Sequence, residues 1–186
     1  MKKLLFIALT AALLGGVVAC NDDEDKDNWE HYKDWREHND AWLQEQAARK
    51  NPDGTPYYTQ LVPSWNPGAY VLIHYFNDRS LTEGNLSPLY TSTVDVRYVG
   101  RDCEGVGFDS SYYVNSYGRP GVQRFKCNSL IQGWSIALQD MRVGDTCEII
   151  VPYGAGYGSS VSGTIKPYSN LRFNMRLEDI YRYEAQ

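Results

Sequence analysis

The sequence lacks the short motifs on which most enzymatic chemistry is assembled. It has no glycine-rich phosphate loop, no Cys-x-x-Cys and no His-x-x-x-His. Its three histidines, His31, His38 and His74, are scattered, so a catalytic triad or a zinc site would have to be built without its usual parts. A reaction run by this chain should therefore need no nucleophile, no metal and no cofactor. Basic residues are also few, with 18 Lys and Arg against 23 Asp and Glu and a net charge of −5, which argues against a nucleic-acid reader with a basic face. Four cysteines in 186 residues do not make a disulfide-dense scaffold. What the chain does have is tyrosine, 15 against 5 Phe, which suits half-buried β surfaces or an aromatic-lined site rather than a disordered chain. The length allows one globular domain with a core, plus an appendage.

The only long apolar run is at the start. Lys2 and Lys3 precede an uncharged stretch, Leu4–Val18, which is short for a spanning helix. Val17-Val18-Ala19-Cys20 follows and resembles the bacterial lipobox, in which the cysteine is acylated and becomes the new N-terminus. The alternative is an ordinary signal peptide with a chance cysteine. Residues 1–19 then read as a lipoprotein signal peptide and Cys20 as the lipidation site, placing the protein in the cell envelope, on the outer membrane of a Gram-negative bacterium. Asp22, Asp23, Glu24, Asp25 and Asp27 make residues 20–27 an acidic tether, extended by self-repulsion. The run also resembles export signals of surface lipoproteins in some anaerobic bacteria.

Asn28 to Lys50 reads as an amphipathic helix with Asn28 as N-cap, ended by Asn51-Pro52-Asp53-Gly54. Trp29, Tyr32, Trp35, Trp42, Leu43 and Ala47 share one face, and three tryptophans must dock on something, either the chain's own domain or a second copy in a homodimer. Residues 28–66 are thus a helix and connector, and residues 67–186 a domain of strands. Ala69–Phe76 and Cys147–Val151 are near-continuous apolar runs, while Val94–Tyr98 and Leu171–Glu178 alternate. Only Leu130–Met141 has helical spacing, with Trp134, Ala137, Leu138 and Met141 recurring. The fold class is α+β, an antiparallel sheet packed on one short helix.

One ordered series is more specific. Val94-Asp95-Val96-Arg97-Tyr98-Val99-Gly100 is followed by Phe108-Asp109-Ser110-Ser111, Leu130-Ile131-Gln132-Gly133-Trp134, Met141-Arg142-Val143-Gly144, Gly156-Tyr157-Gly158, Ile165-Lys166-Pro167 and Leu171-Arg172-Phe173. Across residues 67–182 this resembles the FKBP-type peptidyl-prolyl cis-trans isomerases. The resemblance implies an FKBP-like sheet wrapped around its helix and a proline-binding pocket with Trp134 as floor and Tyr98, Phe108, Ile131, Tyr157 and Phe173 as walls. It implies that Leu130 shapes the lip, that Ile165 overhangs the entrance, and that the Ile131 N–H and the Tyr157 hydroxyl hold substrate carbonyls. Asp109 would bond Tyr98 beside the pocket, so that Tyr98, Asp109 and Tyr157 carry the catalysis. The clients would be proline-containing proteins or peptides.

The chain departs from the family pattern in three places. Tyr112–Arg124 is an insertion, Ser159–Thr164 lacks the usual His-Pro-Gly-Ile, and Gly156 stands where Ala is frequent. These departures keep open an alternative, a non-catalytic binding or chaperone module on a lipid anchor. Cys103, Cys127 and Cys147 remain after Cys20, as free thiols or with one pair among them.

Overall fold

The computed structural model describes residues 28–116 and 118–184. The signal peptide, Cys20 and the acidic tether lie outside the described residues. Helical backbone runs at residues 28–31, turns at Tyr32 and resumes as α1, Lys33–Ala48. The expected helix is therefore interrupted once, and Asn28 is already helical rather than capping.

Among the described residues nine strands follow: β1 Thr59–Leu61, β2 Val71–Tyr75, β3 Thr93–Arg101, β4 Gly107–Ser110, β5 Asn115–Ser116, β6 Arg119–Pro120, β7 Gln123–Lys126, β8 Thr146–Val151 and β9 Leu171–Arg182, with helix α2 Gln132–Asp140 between β7 and β8. Seven of them form one antiparallel sheet in the order β1-β2-β8-β9-β3. The outer edge of β3 is shared, β7 pairing along Thr93–Val96 and β4 along Val99–Arg101. The sheet begins at Thr59, earlier in the chain than the change of texture at Pro67 suggests.

β4 and β7 behave as two halves of one strand, and the expected insertion is the excursion between them. It contains a 3-10 turn, Ser111–Tyr113, and the β5–β6 hairpin. Buried Asp95 on β3 fixes it by accepting Arg119 at 2.9 Å and Arg124 Nε and Nη2 at 2.7 and 2.9 Å. Arg97 donates to the Pro120 carbonyl at 2.8 Å.

The two kinds of strand pattern reflect what covers each face. Val71, Ile73, Ile149, Val151, Leu171, Phe173, Met175, Val96 and Tyr98 turn one face toward Trp134, Ala137 and Leu138 of α2 and Met141 just after it. On the other face Leu72 and Ile150 are buried with Tyr58 beneath Trp42 and Leu43 of α1. β2 and β8 are thus covered twice and read as continuous apolar runs, whereas β9 alternates because its second face is half-buried and polar, with Arg172 reaching Gln46 of α1.

α1 docks on its own domain, through a face centred differently from the apolar stripe. Its fully buried side chains are polar, Asn39 and Gln46, Trp35 and Trp42 are half-buried, and Ala47 is exposed. Trp35 Nε1 donates to Ser169 at 3.1 Å and Arg172 donates to Gln46 at 3.1 Å. Cys103, Cys127 and Cys147 are all free thiols, and burial pushes Cys127 up to about 11.

Candidate functional site

Two glycines let the site form. A Cβ on Gly133 would lie 2.5 Å from a methyl of Val151, so its absence lets the start of α2 settle directly on β8. This sinks Trp134 to 4% exposure. Across the sheet Gly100 faces Phe173 in register, and a Cβ there would stand 2.6 Å from Phe108 and 2.8 Å from Phe173. Bare backbone at this point lets both rings close over it.

The rings meet edge to face, the preferred geometry for aromatic quadrupoles. Trp134 is perpendicular to Tyr98 at 4.9 Å, to Phe173 at 5.2 Å and to Phe125 at 5.9 Å, and Phe108 meets Phe173 at 5.5 Å. They enclose a cavity of about 250 Å³ lined by Tyr98, Phe108, Asp109, Gln123, Phe125, Leu130, Ile131, Trp134, Tyr157 and Phe173. A more open groove of about 770 Å³ borders β4 on Val99, Arg101, Tyr112 and Tyr113 and shares Phe108 and Asp109. It has no tryptophan floor and no ring cage, so the smaller cavity is the candidate site.

Eight of the residues singled out from the sequence therefore meet in one cavity. The ninth, Ile165, is not among its lining. Its N–H and carbonyl bridge back to Ser162, which turns the side chain into the core at 7% exposure. Conversely, Gln123 and Phe125 line the cavity although the sequence does not mark them, because the insertion separates β7 from the Phe108 motif.

The polar groups sit on one side. The Tyr98 hydroxyl lies 2.7 Å from Asp109 Oδ2 and 2.7 Å from Gln123 Oε1 and donates toward these two acceptors. A phenol has one proton, so the two acceptors share it, and the charged carboxylate is the stronger of them. Asp109 Oδ1 accepts the Ser110 N–H at 2.7 Å. Burial first, then the bond to Asp109, pushes the Tyr98 phenol well above the ordinary tyrosine range. Tyr157, 37% exposed, is also raised, by burial and then by the charge of Asp109, with a Ser162 hydrogen bond opposing. Both phenols stay protonated and can donate at any physiological pH. Ile131 stands at the N-terminus of α2 with no side-chain cap, and its N–H has no acceptor among the described residues. The site thus offers an aromatic cage with donors at its rim. Among the described residues no group of three or more His, Cys, Asp or Glu could hold a metal ion.

Residues 85–178 match the family model described as FKBP-type peptidyl-prolyl cis-trans isomerase. The macrophage infectivity potentiator of Trypanosoma cruzi is 39% identical over 98 residues, 52% of this chain and 47% of that protein. The outer membrane protein MIP of Legionella longbeachae is 35% identical over 113 residues, 60% of this chain and 46% of that protein. The chain thus spans about half the length of these curated relatives. Among solved structures, a peptidyl-prolyl cis-trans isomerase from Pseudomonas syringae pv. tomato superposes with a TM-score of 0.62 at 23% identity, covering 80% of this chain and 95% of that one. It shows the same fold.

Proposed function

The chain belongs to the FKBP-type peptidyl-prolyl cis-trans isomerases, and on that premise we propose that it catalyses cis-trans isomerisation of X-Pro bonds in exported proteins or peptides. The observation that carries this reading is the ring cage over Trp134 with Tyr98, Asp109, Tyr157 and Ile131 at its rim.

Rotation about a peptide C–N bond meets a barrier of about 18–20 kcal/mol because amide resonance is lost. The planar amide is the more dipolar state and the twisted one the less, so moving the amide from water into an aromatic cage penalises the ground state more than the transition state. In this reading the proline ring packs on Trp134 between Tyr98, Phe108 and Phe173, with Leu130 at the lip. The Ile131 N–H and the Tyr157 hydroxyl hold the flanking carbonyls. Asp109 holds Tyr98 and shapes the field at the twisting amide; no proton moves. Ile165 supports the loop from the core. The expected result is accelerated cis-trans exchange of a Leu-Pro tetrapeptide in a protease-free assay. Binding without acceleration would leave a recognition module instead.

The sequence around Cys20 supports lipidation there and attachment to the cell envelope. The relative named as an outer membrane protein is consistent with that location. No helix among the described residues is long and apolar enough to cross a membrane; in this reading the acyl chains on Cys20 make the attachment. More than one chain suffices for stable anchoring. Cys20→Ser should move the protein out of the membrane fraction or leave it unprocessed; cleaved mutant protein still in the membrane fraction would contradict the anchor.

A further inference from the structure

Asn39 is an unusual residue for the middle of a helix. Asn is a poor helix former because its amide competes for backbone hydrogen bonds, and burying that amide is costly unless every polar atom is satisfied. Yet Asn39 is wholly buried, as is its partner Asn170 just before β9. Asn39 Nδ2 donates to the Trp35 carbonyl at 2.9 Å, and Asn39 Oδ1 accepts the Asn170 N–H at 2.8 Å. Asn170 Nδ2 donates to the Asn39 carbonyl at 2.8 Å, and Asn170 Oδ1 accepts the Tyr153 N–H at 2.8 Å. No side-chain polar atom of either residue is left over.

The chain of bonds continues toward the pocket. The Tyr153 carbonyl accepts the N–H of Gly156 at 3.0 Å and of Gly158 at 2.9 Å, the two residues that flank Tyr157. The Gly158 carbonyl in turn accepts the Tyr168 N–H at 2.8 Å. Other residues of α1 grip the same return segment, Trp35 through Ser169 Oγ and beneath the Lys166 ammonium at 4.1 Å. Just before α1, Trp29 packs edge-on against Tyr168 at 5.4 Å. Tyr168 itself has φ of 61°, a left-handed backbone uncommon for a residue of its size, and its ring meets those of Trp29 and Tyr153 edge to face. Glycines at 154, 156 and 158 leave the pocket loop little stiffness of its own.

We propose that Asn39 is a positioning residue for the isomerase reaction, which acts through Asn170 and Tyr153 to hold the Tyr157 hydroxyl at the pocket rim. This rests on the reading that Tyr157 binds a client carbonyl. The N-terminal helix is then part of the catalytic apparatus as well as a cover for the sheet.

The test is a double-mutant cycle in the full chain, with kcat/KM for a Leu-Pro peptide measured well below the melting temperature of every variant. Asn39→Ala should lower kcat/KM at least about fivefold, because small misplacements of an orienting group are expensive. It should also speed amide exchange at Gly156 and Gly158. In a Tyr157→Phe background the same substitution should cost less than about twofold, since coupled sites are not additive. Trp35→Phe, which removes the bond to Ser169 and part of the ring beneath Lys166, should shift activity in the same direction by less. Equal losses from Asn39→Ala in both backgrounds, or a lowered melting temperature with unchanged kcat/KM, would overturn the link from Asn39. Tyr157→Phe as active as the wild type would instead overturn the reading of Tyr157 on which the link rests.

Discussion

Trp134 and Gly100 show how single residues set the pocket. Trp134 is held by perpendicular contacts to three rings, and Gly100 leaves room for two of the cage rings to close. Gly100→Ala should force Phe108 and Phe173 apart, destabilising the domain by about 1–3 kcal/mol as overpacking does and weakening peptide binding; an unchanged urea midpoint would show that the rings have slack. A second residue-scale expectation concerns Asp145, which is fully buried. Burial alone would raise its carboxyl, but bonds from Thr82 at 2.6 Å, the Arg142 N–H at 2.9 Å and Asn77 at 3.0 Å, with Arg79 3.2 Å away, hold it below its ordinary 3.8. A carboxyl lowered on folding stabilises the native state fully above its unfolded value, and that contribution fades as pH falls from there through the folded value. Urea midpoints should therefore drop more steeply below pH ~4 for the wild type than for Asp145→Asn; parallel acid limbs would contradict this. At this scale the sequence was informative wherever a motif was intact. Tyr98, Phe108, Asp109 and Trp134 are legible because their neighbours in the chain are their neighbours in the family pattern. Gln123 and Phe125 are not, because the Tyr112–Arg124 excursion hides that β7 resumes the line of β4. Ile165 is the exception: its motif is intact, yet it packs in the core and is not among the cavity's lining.

Between elements, the informative contrast is between the strand patterns. The alternation of β9 and the continuous apolar runs of β2 and β8 already imply that part of the sheet is covered on both faces, and α1 is that second cover. Its docking side could not be read from apolar periodicity, which sees Trp35, Trp42 and Leu43 but not Asn39 and Gln46, the two residues buried deepest. A polar side chain aimed at a backbone partner looks in a sequence like one aimed at water. Because Leu72, Ile150 and Tyr58 lie beneath the helix, deleting Asn28–Lys50 should expose them and lower the melting temperature. By apolar area alone each large side chain uncovered is worth about 1.5–3 kcal/mol. A truncated domain that melts as the full chain does would show that the helix contributes no cover.

At the scale of the whole molecule, an FKBP-type domain carries a helix clamped across its sheet. The central claim is that the cage over Trp134 lowers the barrier to X-Pro rotation rather than merely holding proline. Asp109 separates the two, because it bonds Tyr98 at the rim and is exposed enough that its loss should leave the fold intact. The decisive measurement is exchange spectroscopy on a Leu-Pro peptide saturated with wild type or with Asp109→Val. The account predicts wild-type exchange several-fold faster than the variant and far faster than the uncatalysed tens to hundreds of seconds. Exchange with wild type no faster than with Asp109→Val, at equal saturation, would contradict it and leave the pocket as a recognition site.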